Sequence, residues 1–316
     1  QRTEKICNTK IAECRNLIVK QLGEMGKMSS HIADEIKYAT NYDFDCEKRI
    51  INALQRNEIY IYDAVVVKNQ YDMLDVTLYT HKNYDKEKMN EILRIISKET
   101  GQRMQLYSAH TGNKKNSMRE LHFVVRPQVK IHAEALCMPA AGNQLSGDSY
   151  CFMDLPDGRT FLVLSDGMGT GRRASEQSNA VVRLMELYVK SGIDISSAVS
   201  MVNMMLTSGA ADVMTASIDI CSVNRHEKRA LFVKMGAMPS VIVGPERSRV
   251  IEINQPPAGV TSELNDLYCK MTECEVAPGE CIVLYTDGVY DAFKMGGVNQ
   301  KVFYEYLASV VRKYDG

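Results

Sequence analysis

Leu162-Val163-Leu164-Ser165-Asp166-Gly167-Met168-Gly169-Thr170-Gly171 is an apolar run that stops at an acid, passes through alternate glycines and opens into a segment of helical pattern. Phe161 to Leu164 reads as a short buried strand, because it is wholly apolar and bounded by turn residues. Glycine carries no Cβ, so the backbone after Asp166 is free to approach something closely. An aspartate at such a strand end points its carboxylate into the space that a ligand would take, and the chemistry is placed here.

Several loops share this look. A dinucleotide-binding turn needs Gly-x-Gly-x-x-Gly, but the third glycine falls one place early at Gly171 and Arg172 stands where it should be. A phosphate-binding P-loop needs Gly-Lys-Ser/Thr, which does not follow. Histidine-kinase-type ATP-binding domains carry an acid-glycine box too, yet the segment before Asp166 reads as strands, without the asparagine-bearing helix of that family. That ATP-binding reading stays as an alternative beside a metal-binding aspartate.

Composition narrows the classes. The 316 residues suggest two domains at roughly 150 residues each. With 38 basic and 39 acidic residues the net charge is −1, so no nucleic-acid partner is expected. Nine cysteines form no Cys-x-x-Cys pair and lie mostly in apolar runs, which reads as reduced, buried thiols of an intracellular protein. The six histidines show no ligand spacing, so zinc is not expected. Gln1 opens the sequence without a methionine, and the expectation is a piece of a longer chain.

Residues 1–42 are read as one long amphipathic helix, with Ile11, Cys14, Ile18, Leu22, Met25, Met28, Ile32 and Ile36 on its apolar stripe. At 1.5 Å per residue it would reach roughly 50 Å, more than a small domain spans, so a partner chain is expected on part of the stripe. Residues 43–127 are read as a small α+β domain for regulation or dimerisation. Its helices are predicted at Cys46–Gln55, capped by Asp45, and at Lys86–Thr100, capped by Asp85 and stopped by Gly101. Lys114, Lys115 and Arg119 make a small basic patch there. From residue 128 to 316 strand follows strand, beginning with Val129 to Ala135, and two helices at Arg172–Lys190 and Ser196–Thr207 interrupt them. Further strands include Met214–Val223, Tyr268–Val276 and Cys281–Thr286, and Asn299–Lys313 reads as a final helix. Grouped helices among many antiparallel strands predict an α+β fold, a β-sandwich flanked by helices.

Two more aspartates share the setting of Asp166. Asp148 sits in Ser146-Gly147-Asp148-Ser149 ahead of a strand, and Asp287 follows the apolar run Cys281-Ile282-Val283-Leu284-Tyr285 and precedes Gly288. Singly, each is a common turn residue. Together, in a domain without a catalytic His or Cys setting, they point to a shared metal site. Clustered carboxylates repel and take up protons unless a cation neutralises them. Oxygen ligands suit Mg²⁺ or Mn²⁺, and two such ions can aim a hydroxide at phosphorus. Phosphate-monoester hydrolysis needs acceleration of up to about 10²¹-fold, whereas general acid or base help supplies only about 10² to 10⁴.

Gly147-Asp148, Ser165-Asp166-Gly167-Met168-Gly169, Thr215-Ala216-Ser217-Ile218-Asp219, Met235-Gly236-Ala237-Met238-Pro239-Ser240, Pro257-Ala258-Gly259 and Thr286-Asp287-Gly288-Val289 fall in the order of a known set. Over residues 129 to 300 the chain resembles the PPM-type metal-dependent serine/threonine protein phosphatases, and within them the SpoIIE (stage II sporulation protein E) subfamily. The resemblance implies the PPM fold, two Mn²⁺ or Mg²⁺ ions, and removal of phosphate from a serine of an anti-sigma factor antagonist, freeing a sporulation sigma factor. Asp166 would bridge the ions, the Gly167 carbonyl would join one, and Asp148 and Asp287 would complete the shells. Arg172 and Arg173 are candidate holders of the substrate phosphate. The family's last metal acid lies beyond the final helix in a motif this sequence does not reach, so the domain is expected to lack its last strand and this polypeptide to be inactive alone. A non-catalytic regulatory or dimerisation module is then the second reading. A homodimer through the first helix and small domain is expected, in a cytoplasmic protein with a membrane tether before Gln1.

Overall fold

The computed structural model describes residues 41–69, 72–111, 118–139, 145–169, 171–207, 215–260, 269–294, 297 and 299–314. The helix read over residues 1–42, save its last two positions, and the lysines at 114 and 115 lie outside them. The chain divides into two units, Gln1–Phe123 and Val124–Gly316.

In the first unit the elements are β1 (Asn41–Tyr42), α1 (Phe44–Arg56), β2 (Asp63–Lys68), β3 (Leu74–Thr80), α2 (Lys86–Thr100), β4 (Met104–Thr111) and β5 (Arg119–Val125). The sheet runs in the order β1-β2-β3-β5-β4. Strict alternation along β3 buries Leu74, Val76 and Leu78, while α1 and α2 bury Ile50, Leu54, Ile92 and Ile96. Asp85 caps α2 as predicted, accepting from the Lys88 amide at 2.8 Å. The cap of α1 is Asp43 rather than Asp45: its Oδ1 accepts from the Cys46 amide at 2.9 Å, and Asp45 falls in the first turn, where an acid also suits the helix dipole.

The second unit contains β6 (Asp148–Asp154), β7 (Arg159–Asp166), α3 (Arg172–Lys190), α4 (Ile195–Thr207), β8 (Ile218–Asn224), β9 (Arg229–Met235), β10 (Ser240–Val243), β11 (Ser248–Ile251), β12 (Met271–Glu275), β13 (Cys281–Val283), α5 (Asp287–Lys294) and α6 (Gln300–Tyr314). One sheet runs β12-β9-β8-β7-β6 and another β11-β10-β13, with antiparallel neighbours throughout. Side-chain alternation makes the layers. Phe161, Val163, Ile220 and Val233 pack on Val181, Met185, Val199 and Val202 of α3 and α4. The opposite face, with Cys221 and Phe232, meets Ile242 of the second sheet and Ile253 just beyond β11. Val241 and Val243 turn outward to Tyr285 and Phe303, so α5 and α6 cover the far side. The result is the expected α+β sandwich flanked by helices.

The differences have physical causes. No strand forms over residues 129–135: the alternation is there and Ile131 packs into a hydrophobic cluster, but the backbone takes no place in either sheet. β12 is confined to Met271–Glu275, and the run into Asp287 stops at Val283. Asp287 is the first residue of α5, where an acid favours the helix dipole and Tyr290 and Phe293 pack on Phe303. The cysteines are not uniformly buried either; Cys46 and Cys221 are, whereas Cys137 is exposed. Among the described residues no helix is long and apolar enough to cross a membrane.

Candidate metal centre

Antiparallel register sets Asp148 directly opposite Asp166 where β6 and β7 meet, with Ser149 opposite Ser165 behind them. Like charges so placed oppose pairing unless something neutralises them. Three hydrogen bonds pin the end of β7. The Ser165 hydroxyl donates to the Ser217 carbonyl at 2.7 Å, the Asp166 amide to the Ser217 hydroxyl at 2.8 Å, and the Ser217 amide to the Asp166 carbonyl at 2.9 Å. Asp148 Oδ2 accepts from the hydroxyls of Ser146 at 3.4 Å and Thr286 at 3.2 Å. The second bond brings the segment leading into Asp287 to the edge of β6.

Asp148, Asp166 and Asp287 are therefore brought together. Burial first, then the charges of Asp148 and Asp287 and hydrogen bonds to both, push the half-buried Asp166 carboxyl up to about 7. Among the described residues no three His, Cys, Asp or Glu side chains surround one point as metal ligands do. The carboxyls are instead tied to each other and to hydroxyls, which is how clustered acids relieve repulsion by sharing protons.

Gly167 lies where no other residue fits. Its amide donates to the Gly147 carbonyl at 3.2 Å, and a Cβ on it would lie 2.0 Å from the Ala174 carbonyl in the first turn of α3. A Cβ on Gly147 would lie 3.3 Å from Asp166 Oδ1 and 3.6 Å from the Gly167 carbonyl oxygen, so both oxygens border one bare spot. The Ala174 Cβ borders the same spot at 3.3 Å. Carboxylates with a nearby backbone carbonyl are the donor types that Mg²⁺ and Mn²⁺ favour, and the residues present suit such ions in kind.

α3 opens at Gly171 without a side-chain cap. Arg172 and Arg173 follow in its first turn. The Arg172 side chain is 84% exposed and holds Glu176 of its own helix at 2.8 Å. The reading of single motifs passed over the hydroxyls of Ser146, Ser217 and Thr286. A signal for two of them was present, since a hydroxyl residue stands just ahead of each acid in Ser146-Gly147-Asp148, Ser165-Asp166 and Thr286-Asp287. The antiparallel setting of β7 also rules out the parallel dinucleotide-binding fold.

The profile of the stage II sporulation protein E (SpoIIE) family matches residues 156–313. The chain is 23% identical over 285 residues to stage II sporulation protein E of Bacillus subtilis, a match covering 90% of this chain and 34% of that protein. It is 24% identical over 148 residues to the phosphoserine phosphatase RsbX of Bacillus subtilis, covering 47% of this chain and 69% of that protein. Among solved structures, the PP2C phosphatase domain of SpoIIE from Bacillus subtilis with a fragment of its regulatory domain aligns with a TM-score of 0.62 at 21% identity, over 97% of this chain and 93% of that one. The chain thus has a PP2C-like fold, and it spans a third to a half of the length of the SpoIIE relatives it matches.

Proposed function

The chain belongs to the stage II sporulation protein E family, and on that premise we propose that its second unit is a metal-dependent phosphatase that hydrolyses phosphoserine on an anti-sigma factor antagonist protein. One observation carries the reading: Asp148, Asp166 and Asp287 gather from distant parts of the chain at one sheet end, with Asp166 raised to about 7 by burial and by the other two. Such a cluster is a poor structural device and a good cation trap. Asp148, Asp166 and Asp287 would hold two Mn²⁺ or Mg²⁺ ions, together with the Gly167 carbonyl. When bound, such ions supply a water of lowered pKa and shield the charge of the phosphate oxygens.

The chain's own residues do the rest. Ser217 fixes the backbone on either side of the Asp166 carboxylate, and Thr286 and Ser146 orient Asp148; the acids, now tied to one another, would exchange those contacts for an ion. Arg172 would exchange Glu176 for the substrate phosphate, giving up a solvent-screened pair on the surface of its own helix. In the same reading the first unit, residues 1–42 included, regulates and dimerises a cytoplasmic protein. The test is phosphate release from a phosphorylated anti-sigma factor antagonist in Mn²⁺ by the full-length protein. Asp166→Asn is expected to lower the rate at least about a hundredfold and EDTA to abolish it; activity that survives both sinks the metal role.

A further inference from the structure

Lys234 is wholly buried in β9 and touches none of the three clustered acids. Its ammonium donates three hydrogen bonds, to Asp219 Oδ1 at 2.6 Å, the Met238 carbonyl at 2.7 Å and the Ser240 hydroxyl at 2.7 Å. All three protons are used. Asp219, in β8, is equally buried, at 2% side-chain exposure against 0% for Lys234. Burial pushes the Asp219 carboxyl up to about 6 and Lys234 downward, each opposed by the charge of the other. An apolar pair of similar volume commonly serves stability as well as or better than such a buried ion pair. An apolar pair has no way to grip a specific carbonyl and hydroxyl.

What Lys234 grips is the turn between β9 and β10. Gly236 in that turn lies so close to Pro257 that a Cβ would come within 2.5 Å of its ring, and the Gly236 amide donates to the Gln255 carbonyl at 2.9 Å. Ala258, next along, exchanges both backbone hydrogen bonds with Ala216, at 3.0 and 3.2 Å. Ala216 in turn bridges to Gly167. The Gly259 amide is held from the other side by the buried Asn203 of α4 at 2.8 Å.

We propose that Lys234, with Asp219, is a positioning residue for the metal centre: it fixes the turn that seats Pro257 to Gly259 on Ala216, and so fixes the backbone that presents the Gly167 carbonyl. The inference rests on the metal reading above and deepens it. Ion affinity then depends on a pair that touches no ion.

The experiment compares the full parent chain with the double variant Asp219→Leu/Lys234→Met, measuring Mn²⁺ affinity by electron paramagnetic resonance and folding by thermal melting in EDTA. The expected result is Mn²⁺ binding weakened about tenfold or more, as for other residues that orient metal ligands, with the metal-free melt near that of the parent. Phosphatase activity should recover at high Mn²⁺ with KM for the phosphoprotein unchanged, which a folding defect would not produce. A well-folded double variant that binds Mn²⁺ within about twofold of the parent overturns the proposal and leaves the metal reading intact. A parent that binds no Mn²⁺ overturns both. Should the double variant not fold, Ser240→Ala removes one acceptor alone; weaker Mn²⁺ binding supports the proposal and unchanged binding overturns it.

Discussion

The two ends of the β6–β7 hairpin treat their acids in opposite ways. At the turn, Asp154 accepts from Arg225 at 2.8 Å and from Thr160 at 2.6 Å, and Asp157 pairs with Arg159 at 2.6 Å. Arg225 also donates from Nε to the Gly158 carbonyl at 2.9 Å, closing the turn against the β8–β9 connection. At the open end Asp166 meets Asp148 and Asp287, two more carboxylates. The turn end is neutralised from within the chain. The open end has no such internal partner among the acids named, and that contrast is what the proposed metal role rests on.

The strongest way to break that comparison is Asp166→Asn. In the parent, Mn²⁺ at a hundredfold excess over its Kd is expected to add about 2.7 kcal/mol of stability, an upward shift of roughly 5–10 °C in Tm. The variant is expected to lose that gain and, in EDTA, to melt above the parent because one of three like charges is gone. Calorimetry with and without Mn²⁺ reads both, and an equal gain in the variant would erase the contrast between the ends. A smaller effect is expected from Arg225→Met, which removes the buried donor to the Gly158 carbonyl and to Asp154. Urea titration should show a loss of about 1–3 kcal/mol with the Mn²⁺ gain untouched. Loss of the metal gain as well would mean that the ends are not independent.

The smallest effect sharpens the picture through pH. Burial, and then the Arg225 charge, hold the His226 imidazole below its ordinary 6.5. A folded pKa below the unfolded one means that the contribution is intact above about 6.5 and is lost as pH falls through the folded value. His226→Gln removes that loss, so its stability should decline less than the parent's from about pH 6.5 to 5, by some tenths of a kcal/mol. Parallel urea midpoints across that range would take His226 out of the account.

Legibility in the sequence followed the range of the forces. Short-range signals read well: α2 lies at Lys86–Thr100 with its Asp85 cap and α3 at Arg172–Lys190, both at their predicted bounds. The strand ending at Asp166 was readable because both its faces are apolar, and that continuous run is the mark of a strand packed between two layers. Residues 129–135 misled because alternation records a preference for one buried face, while a strand also needs a neighbour to bond. Asp287 was assigned to a strand end because Asp-Gly reads as a turn; its helix depends on Phe303, which gathers Tyr290 and Phe293 from a later part of the chain. The buried cation of Lys234 was invisible, since nothing in Val233-Lys234-Met235 says that a carboxylate two strand positions past Ser217 will face it.

The seat of Asp287 has a consequence of its own. Asp148 and Asp166 stand opposite each other on a ladder of cross-strand bonds, whereas α5 buries no residue fully and is anchored by rings that lean on Phe303. Rings slide where ladders lock. The place of the third acid relative to the other two therefore hangs on ring packing at Phe303, a side chain later in the sequence than any of the three carboxylates.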